Sequence, residues 1–151
     1  MSTKSFHMLL VDDDDCALLG TAVNMTDLNI SLLTVTDGEQ AIDYLEGRDV
    51  YADRSMHPLP DLVVLDLDTR LTEGLAFLDW RRASGSFASL PVVIFSGTAY
   101  KGAVETALAK GANAFVAKPH EFDGWEAVVQ QIWSVGMERN EAMKPAFAVG
   151  G

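Results

Sequence analysis

The 151-residue chain holds a single cysteine, Cys16, so no internal disulfide can brace the fold. That scarcity suits a reducing compartment, and a cytoplasmic location is expected. Basic side chains are few: 11 lysines and arginines stand against 22 aspartates and glutamates, a formal net charge of −11. Nonspecific affinity for nucleic acid comes mainly from Lys and Arg releasing counterions from phosphates, so DNA or RNA is not an expected partner. Long apolar runs are missing as well. The run 6–11 ends in four aspartates and cannot serve as the ~7–15-residue core of a signal peptide. The uncharged stretch 84–100 is broken by Gly85, Pro91 and Gly97 and falls short of the ~18 apolar residues a spanning helix needs. A soluble protein with no membrane contact is expected.

What is present is a globular composition, 48% hydrophobic and 22% charged, well away from that of disordered chains. The length fits one domain with one sizeable core. Five short runs rich in Val, Leu, Ile and Phe, at 6–11, 30–35, 61–66, 91–96 and 113–117, read as strands. Three of them lack polar alternation, the mark of strands covered on both faces and hence of a largely parallel sheet. Helical patterns separate them at 17–27, 37–46, 72–83, 98–110 and 121–135. Asp37 with Gln40 resembles a capping box, and Gly111 a helix C-terminal cap. Trp125 falls on the apolar stripe of the last helix, whereas Trp133 lies near its edge, where a partner could reach it. Five strand and helix alternations argue for an α/β fold with right-handed crossovers and helices on both faces of the sheet. The connection 47–60, with His57, Pro58 and Pro60, reads as an irregular surface loop. The core domain is expected over 1–136, followed by a tail over 137–151 without a core of its own.

In open parallel sheets ligands bind beyond the carboxyl ends of the strands, so the residues that follow each apolar run carry the chemistry. The first run ends in Asp12, Asp13, Asp14 and Asp15, the third in Asp66, the fourth in Ser96, Gly97 and Thr98, and the fifth in Lys118 and Pro119. Asp14 or Asp15 suits a helix cap, which leaves Asp12 and Asp13 for the site. Crowded carboxylates raise one another's pKa unless a cation neutralises them. Oxygen-only ligands suit Mg²⁺, which takes one or two carboxylates together with phosphate oxygens. A lysine and a hydroxyl opposite would complement the remaining oxygens of a phosphoryl group.

Together these segments resemble the response-regulator receiver domain of two-component signalling, over about residues 5–135. Asp12 and Asp13 resemble the family's acidic pair, and Val63-Val64-Leu65-Asp66 its phosphoacceptor segment, with Gly74 at the usual offset. Ser96-Gly97 resembles the switch hydroxyl and its small neighbour, Phe115 the switch aromatic, and Lys118-Pro119 the family's Lys-Pro, usually a cis peptide. The resemblance implies a CheY-like, flavodoxin-like doubly wound fold: five parallel strands in the order 2-1-3-4-5 with five helices. It also implies that Asp66 accepts a phosphoryl group from a sensor histidine kinase or a histidine phosphotransfer protein. Asp13, Asp66 and the backbone carbonyl of Asp68 would bind Mg²⁺ directly, and Asp12 through water. Ser96, Gly97 and Lys118 would hold phosphoryl oxygens. Ser96 and Phe115 would switch the face formed by the fourth helix, fifth strand and fifth helix toward a downstream protein target.

The chain departs from the pattern after the acceptor, where Thr69-Arg70 follow Asp68 in place of Met-Pro. Asp68 and Thr98, each two residues past a site residue, are expected to tune phosphoryl lifetime in a direction the sequence leaves open. A single-domain regulator is expected, since few residues follow position 135. The long loop before the third strand resembles that of regulators paired with phytochrome-type kinases. A homodimer through the fourth and fifth helices, with Phe147 and Val149 of the tail packing on a neighbour, completes the expectations. Two alternatives stand beside this reading. One is a receiver-like adaptor that works without phosphorylation; the other is a haloacid-dehalogenase-like phosphatase, which the absence of a downstream acidic pair after Lys118 disfavours.

Overall fold

Apolar runs without polar alternation need cover on both sides, and in a computed structural model of the chain they receive it. The structure describes residues 5–12, 17–68, 71–97, 101–119 and 123–142. In chain order the elements are β1 (Phe6–Val11), α1 (Ala17–Met25), β2 (Ile30–Val35), α2 (Gly38–Glu46), a 3₁₀ turn (Asp49–Ala52), β3 (Leu62–Asp66), α3 (Leu71–Ala83), β4 (Val92–Ser96), α4 (Lys101–Ala109), β5 (Ala114–Ala117) and α5 (Asp123–Ala142). All neighbouring strands are parallel, in the order β2-β1-β3-β4-β5. This is the doubly wound arrangement the alternation of elements predicts. No helix among the described residues is long and apolar enough to cross a membrane.

Alternate residues of each central strand feed two separate cores. Met8, Leu10, Leu62, Val64, Val93 and Phe95 meet Leu19 and Ala22 of α1 and Trp125, Val129 and Ile132 of α5. Their neighbours Leu9, Val11, Val63, Leu65, Val92 and Ile94 meet Ala41 and Leu45 of α2, Phe77 and Leu78 of α3 and Ala107 of α4. Each strand therefore contributes both parities of its residues to burial, which is why its sequence shows no alternation.

Helix α2 is bounded by its own side chains. Asp37 Oδ1 accepts from Gln40 N at 2.8 Å, while Gln40 Oε1 reaches back one residue past the cap to accept from Thr36 N at 2.7 Å. At the other end Gly47 adopts φ 71°, a left-handed conformation that costs a glycine little, and its N–H caps the carbonyls of Asp43 and Tyr44. Gly111 closes α4 similarly, at φ 107°.

Two expectations change. The connection 47–60 is not irregular throughout: Arg54 donates from Nη1 to Tyr44 O at 2.9 Å and His57 O at 3.1 Å, and from Nη2 to Leu45 O at 2.7 Å. Its guanidinium thus serves carbonyls at the end of α2, adding a second donor at Tyr44 O, and Tyr44 Oη donates to Pro58 O at 2.8 Å to close the far side. The last helix, expected to end near 135, continues to Ala142. Gly136, just past the expected end, is a point of close approach: a Cβ there would overlap the Phe6 ring and lie 3.0 Å from Leu62 Cδ1. Trp133 is half-buried and packs on the same core with Met137.

Gly136→Val is therefore expected to lower unfolding stability by about 2 kcal/mol or more through overpacking. Gly20→Ala in α1, where nothing lies within 4 Å of an added carbon, is expected to be neutral or stabilising by up to about 1 kcal/mol. Urea denaturation of both variants checks the contrast, and equal effects would contradict it.

Candidate functional site

Register brings the strand-end polar residues together. Val11 pairs with Leu65, Asp66 with Phe95, and Ser96 with Ala117, so Asp12, Asp66, Ser96 and Lys118 emerge on one edge of the sheet. Backbone bonds beyond the ladders fix two of them, Asp12 N to Val35 O at 3.0 Å and Lys118 N to Ser96 O at 3.0 Å. Asp12, Asp66 and Ser96 are three of the five buried polar residues among those described. Burying them without partners would cost several kcal/mol, roughly 2–7 for a neutral polar group and more for a charge, so the contacts here matter to stability as well as chemistry.

Lys118 is the hub. Its Nζ lies 2.5 Å from Asp66 Oδ2 and 2.8 Å from Asp68 Oδ2, and 5.5 Å from the centroid of the Phe95 ring. Burial would lower the lysine's pKa, but the hydrogen bonds and charges of Asp66 and Asp68 outweigh it and push the ammonium well above its ordinary range. Asp68 N donates to Asp66 Oδ1 at 2.7 Å, so both oxygens of Asp66 are held. The Asp68 side chain turns inward: Oδ1 accepts from Ser96 Oγ at 2.5 Å, and Oδ2 accepts from Gly97 N at 3.0 Å as well as from Lys118. Burial alone would raise the Asp68 carboxyl, yet bonds from Lys118, Ser96 and Gly97, with the lysine's charge, hold it well below the usual carboxylate range.

The structure thus gathers Asp66, Asp68, Ser96, Gly97 and Lys118 into one bonded cluster, with Asp12 beside Asp66 by register. Phe115 pairs with Ile94 and stands half-buried on the side of the sheet covered by α2, α3 and α4. Asp13, Asp14, Asp15, Cys16, Thr69, Arg70, Thr98, Phe147 and Val149 lie outside the described residues. No cis peptide bond occurs among the described residues, Lys118–Pro119 included, where the resemblance implies one; trans is the lower-energy form of an X–Pro bond by about 0.5–1 kcal/mol. The inward turn of the Asp68 side chain has no local signal in the sequence, because the donors it meets come from the ends of other strands.

Asp12, Asp66 and the backbone carbonyl of Asp68 are the described groups that could hold a cation. Among the described residues no group of three His, Cys, Asp or Glu side chains is gathered for a metal. The donor chemistry nonetheless fits a hard divalent ion: Asp12 and Asp66 bring two buried carboxylates, oxygen ligands of the kind Mg²⁺ takes, to an edge where Lys118 brings one ammonium.

Comparison with known proteins agrees with the fold. The chain belongs to the response regulator receiver domain family, whose pattern matches residues 8–130. It is 30% identical over 145 residues to the nitrate/nitrite response regulator protein NarL of Escherichia coli K12, covering 93% of this chain and 61% of that protein. It spans between 34% and 61% of the length of the curated relatives it matches. Among solved structures it resembles a response regulator in red light signaling of R. palustris, with TM-score 0.78, 26% identity, and coverage of 85% of this chain and 91% of that one. It also resembles the bacteriophytochrome response regulator RtBRR, with TM-score 0.68, 31% identity, and coverage of 85% and 78% respectively. The chain is accordingly a receiver domain of two-component signalling.

Asp68 has a folded pKa below its ordinary 3.8, so the stability it contributes is present above that value and is lost as pH falls through the folded one. Wild type is expected to exceed Asp68→Asn in unfolding free energy at neutral pH, with the gap closing as pH drops below about 4. Urea titrations of both proteins across that range check this, and a gap that stays level would contradict it.

Proposed function

We propose that Asp66 is the phosphoacceptor of this receiver, taking a phosphoryl group from a phosphohistidine of a sensor histidine kinase or a histidine phosphotransfer protein. The observation that carries the reading is the buried Asp66 carboxylate at a strand end, 2.5 Å from Lys118 Nζ, with the Ser96 hydroxyl and Gly97 N–H on the same edge. In the transfer an Asp66 oxygen forms its bond to phosphorus as the P–N bond breaks, and the imidazole nitrogen keeps the bonding electrons. Charge then collects on the three peripheral oxygens, so fixed donors aimed at them supply most of the catalysis. Lys118, Ser96 and Gly97 are those donors. Mg²⁺, held by Asp12, Asp13, Asp66 and the Asp68 carbonyl, would neutralise the carboxylates and the incoming phosphoryl group.

The protein is then a switch that catalyses its own phosphorylation and dephosphorylation and is not a turnover enzyme. Ser96 moves toward the phosphoryl group, Phe115 follows, and the surface of α4, β5 and α5 changes for a downstream protein or a second copy of the chain. The receiver unit is read as 1–136, with 137–142 prolonging its last helix. A net charge of −11 supports protein partners over nucleic acid, and the cytoplasm remains the expected compartment. The family match sets aside the phosphatase alternative. The adaptor alternative keeps one supporting observation, that the three donors are already satisfied by Asp68.

Incubation with acetyl phosphate and Mg²⁺ followed by intact-mass measurement tests the reading. One phosphoryl group is expected on wild type, none on Asp66→Asn, and a strong loss on wild type when EDTA removes the metal. An adduct that survives in Asp66→Asn would remove Asp66 from this role.

A further inference from the structure

We propose that the Asp68 carboxylate is an internal competitor for the phosphoryl cradle, a latch that must swing out before Asp66 can be phosphorylated. This rests on the acceptor reading above and adds a control step to it. Three donors of different kinds converge on one carboxylate: a hydroxyl on Oδ1, and a backbone amide and an ammonium on Oδ2, all within 2.5 to 3.0 Å. A phosphoryl group offers the same donors oxygens of like charge and reach.

Proton counting makes the two occupants exclusive. A serine hydroxyl and a backbone amide each have one hydrogen to donate, whereas a lysine ammonium has three. Ser96 and Gly97 spend their single hydrogens on Asp68, so neither can serve a phosphoryl oxygen at the same time. Lys118 can serve both Asp66 and a newcomer. Charge acts in the same direction, since an anionic phosphoryl group beside an inward Asp68 carboxylate would face a like charge.

The latch is also able to open. The Asp68 side chain is 17% exposed against 2% for Asp66, so a rotation about its own side-chain bonds carries the carboxylate to water. The Asp68 N–H bond to Asp66 Oδ1 belongs to the backbone and survives that rotation. Opening is thus a side-chain event that leaves the acceptor in place. The fraction of molecules with the cradle open then multiplies the affinity for any phosphoryl-like ligand.

Beryllofluoride, a phosphoryl mimic that adds to a carboxylate, measures that fraction. With Mg²⁺ present, ¹⁹F NMR titration of wild type, Asp68→Ala, Asp68→Asn and Asp66→Asn gives half-saturation for each. Asp68→Ala is expected to bind about tenfold tighter than wild type or better, with Asp68→Asn between, given the strength of hydrogen bonds to a charged group. The gain should persist at about 1 M salt, where the screening length is about 3 Å. A gain that disappears with salt reports long-range charge alone and overturns the latch. Equal affinities of wild type and Asp68→Ala overturn it too, while leaving the acceptor reading intact. An adduct on Asp68→Ala but none on wild type supports a latch closed almost completely. No adduct on any variant overturns the acceptor reading and the latch together. The Gly97 amide resonance gives an independent check without any phosphoryl chemistry: it should move upfield in Asp68→Ala, and an unmoved resonance would mean the bond is not made in solution.

Discussion

Everything at the carboxyl edge of this sheet depends on Lys118. Register carries Asp12 and Asp66 to one edge of the sheet, and Asp68, two residues past the end of β3, turns its carboxylate back toward the same edge. Coulomb repulsion among them would open the strand ends if nothing opposed it. One ammonium placed between Asp66 and Asp68 does oppose it, and its position is itself fixed by the backbone bond from Lys118 N to Ser96 O. The electrostatics of the site therefore begin in the hydrogen-bond ladder between β4 and β5. Parallel pairing sets the lysine, and the lysine permits the acids.

That dependence explains what could be read from the sequence. Continuous apolar runs predict doubly buried parallel strands, and the residues after each run then fall on one edge by geometry alone. Asp66, Ser96 and Lys118 were visible for this reason, each sitting at the end of a run such as Val92–Ser96. Helix α2 was equally legible at its start, since Asp37 and Gln40 carry a local capping signal. Local signals report local structure.

What escaped the sequence depended on distant partners. Arg54 looks like a surface charge until the carbonyls of Tyr44, Leu45 and His57 are seen to need a donor. Arg81 is similar: it is buried, and it joins the end of α3 to Leu90 O, Gly111 O and Asn113 Oδ1, contacts up to 32 residues away. Gly136 carries no local sign of its partner, yet its role is to let α5 lie against Phe6, 130 positions earlier in the chain. The direction of the Asp68 side chain belongs to the same group. Its identity is local, whereas its orientation follows donors at the ends of β4 and β5 that no spacing rule reveals.

The division of the interior into two cores has a mechanical consequence. Phe95 faces Trp125 edge-on across 5.5 Å, while its neighbour Ile94 faces the opposite layer together with Phe115. A strand buried on both sides has no solvent face into which it can relax, and close-packed interiors transmit displacement with little loss. A displacement of Ser96 at the tip of β4, if it follows phosphorylation as proposed, would consequently be delivered to both helical layers at once. The sheet behaves as a shared wall, and any small event at its edge becomes a change of volume that two opposite surfaces of the protein must divide between them.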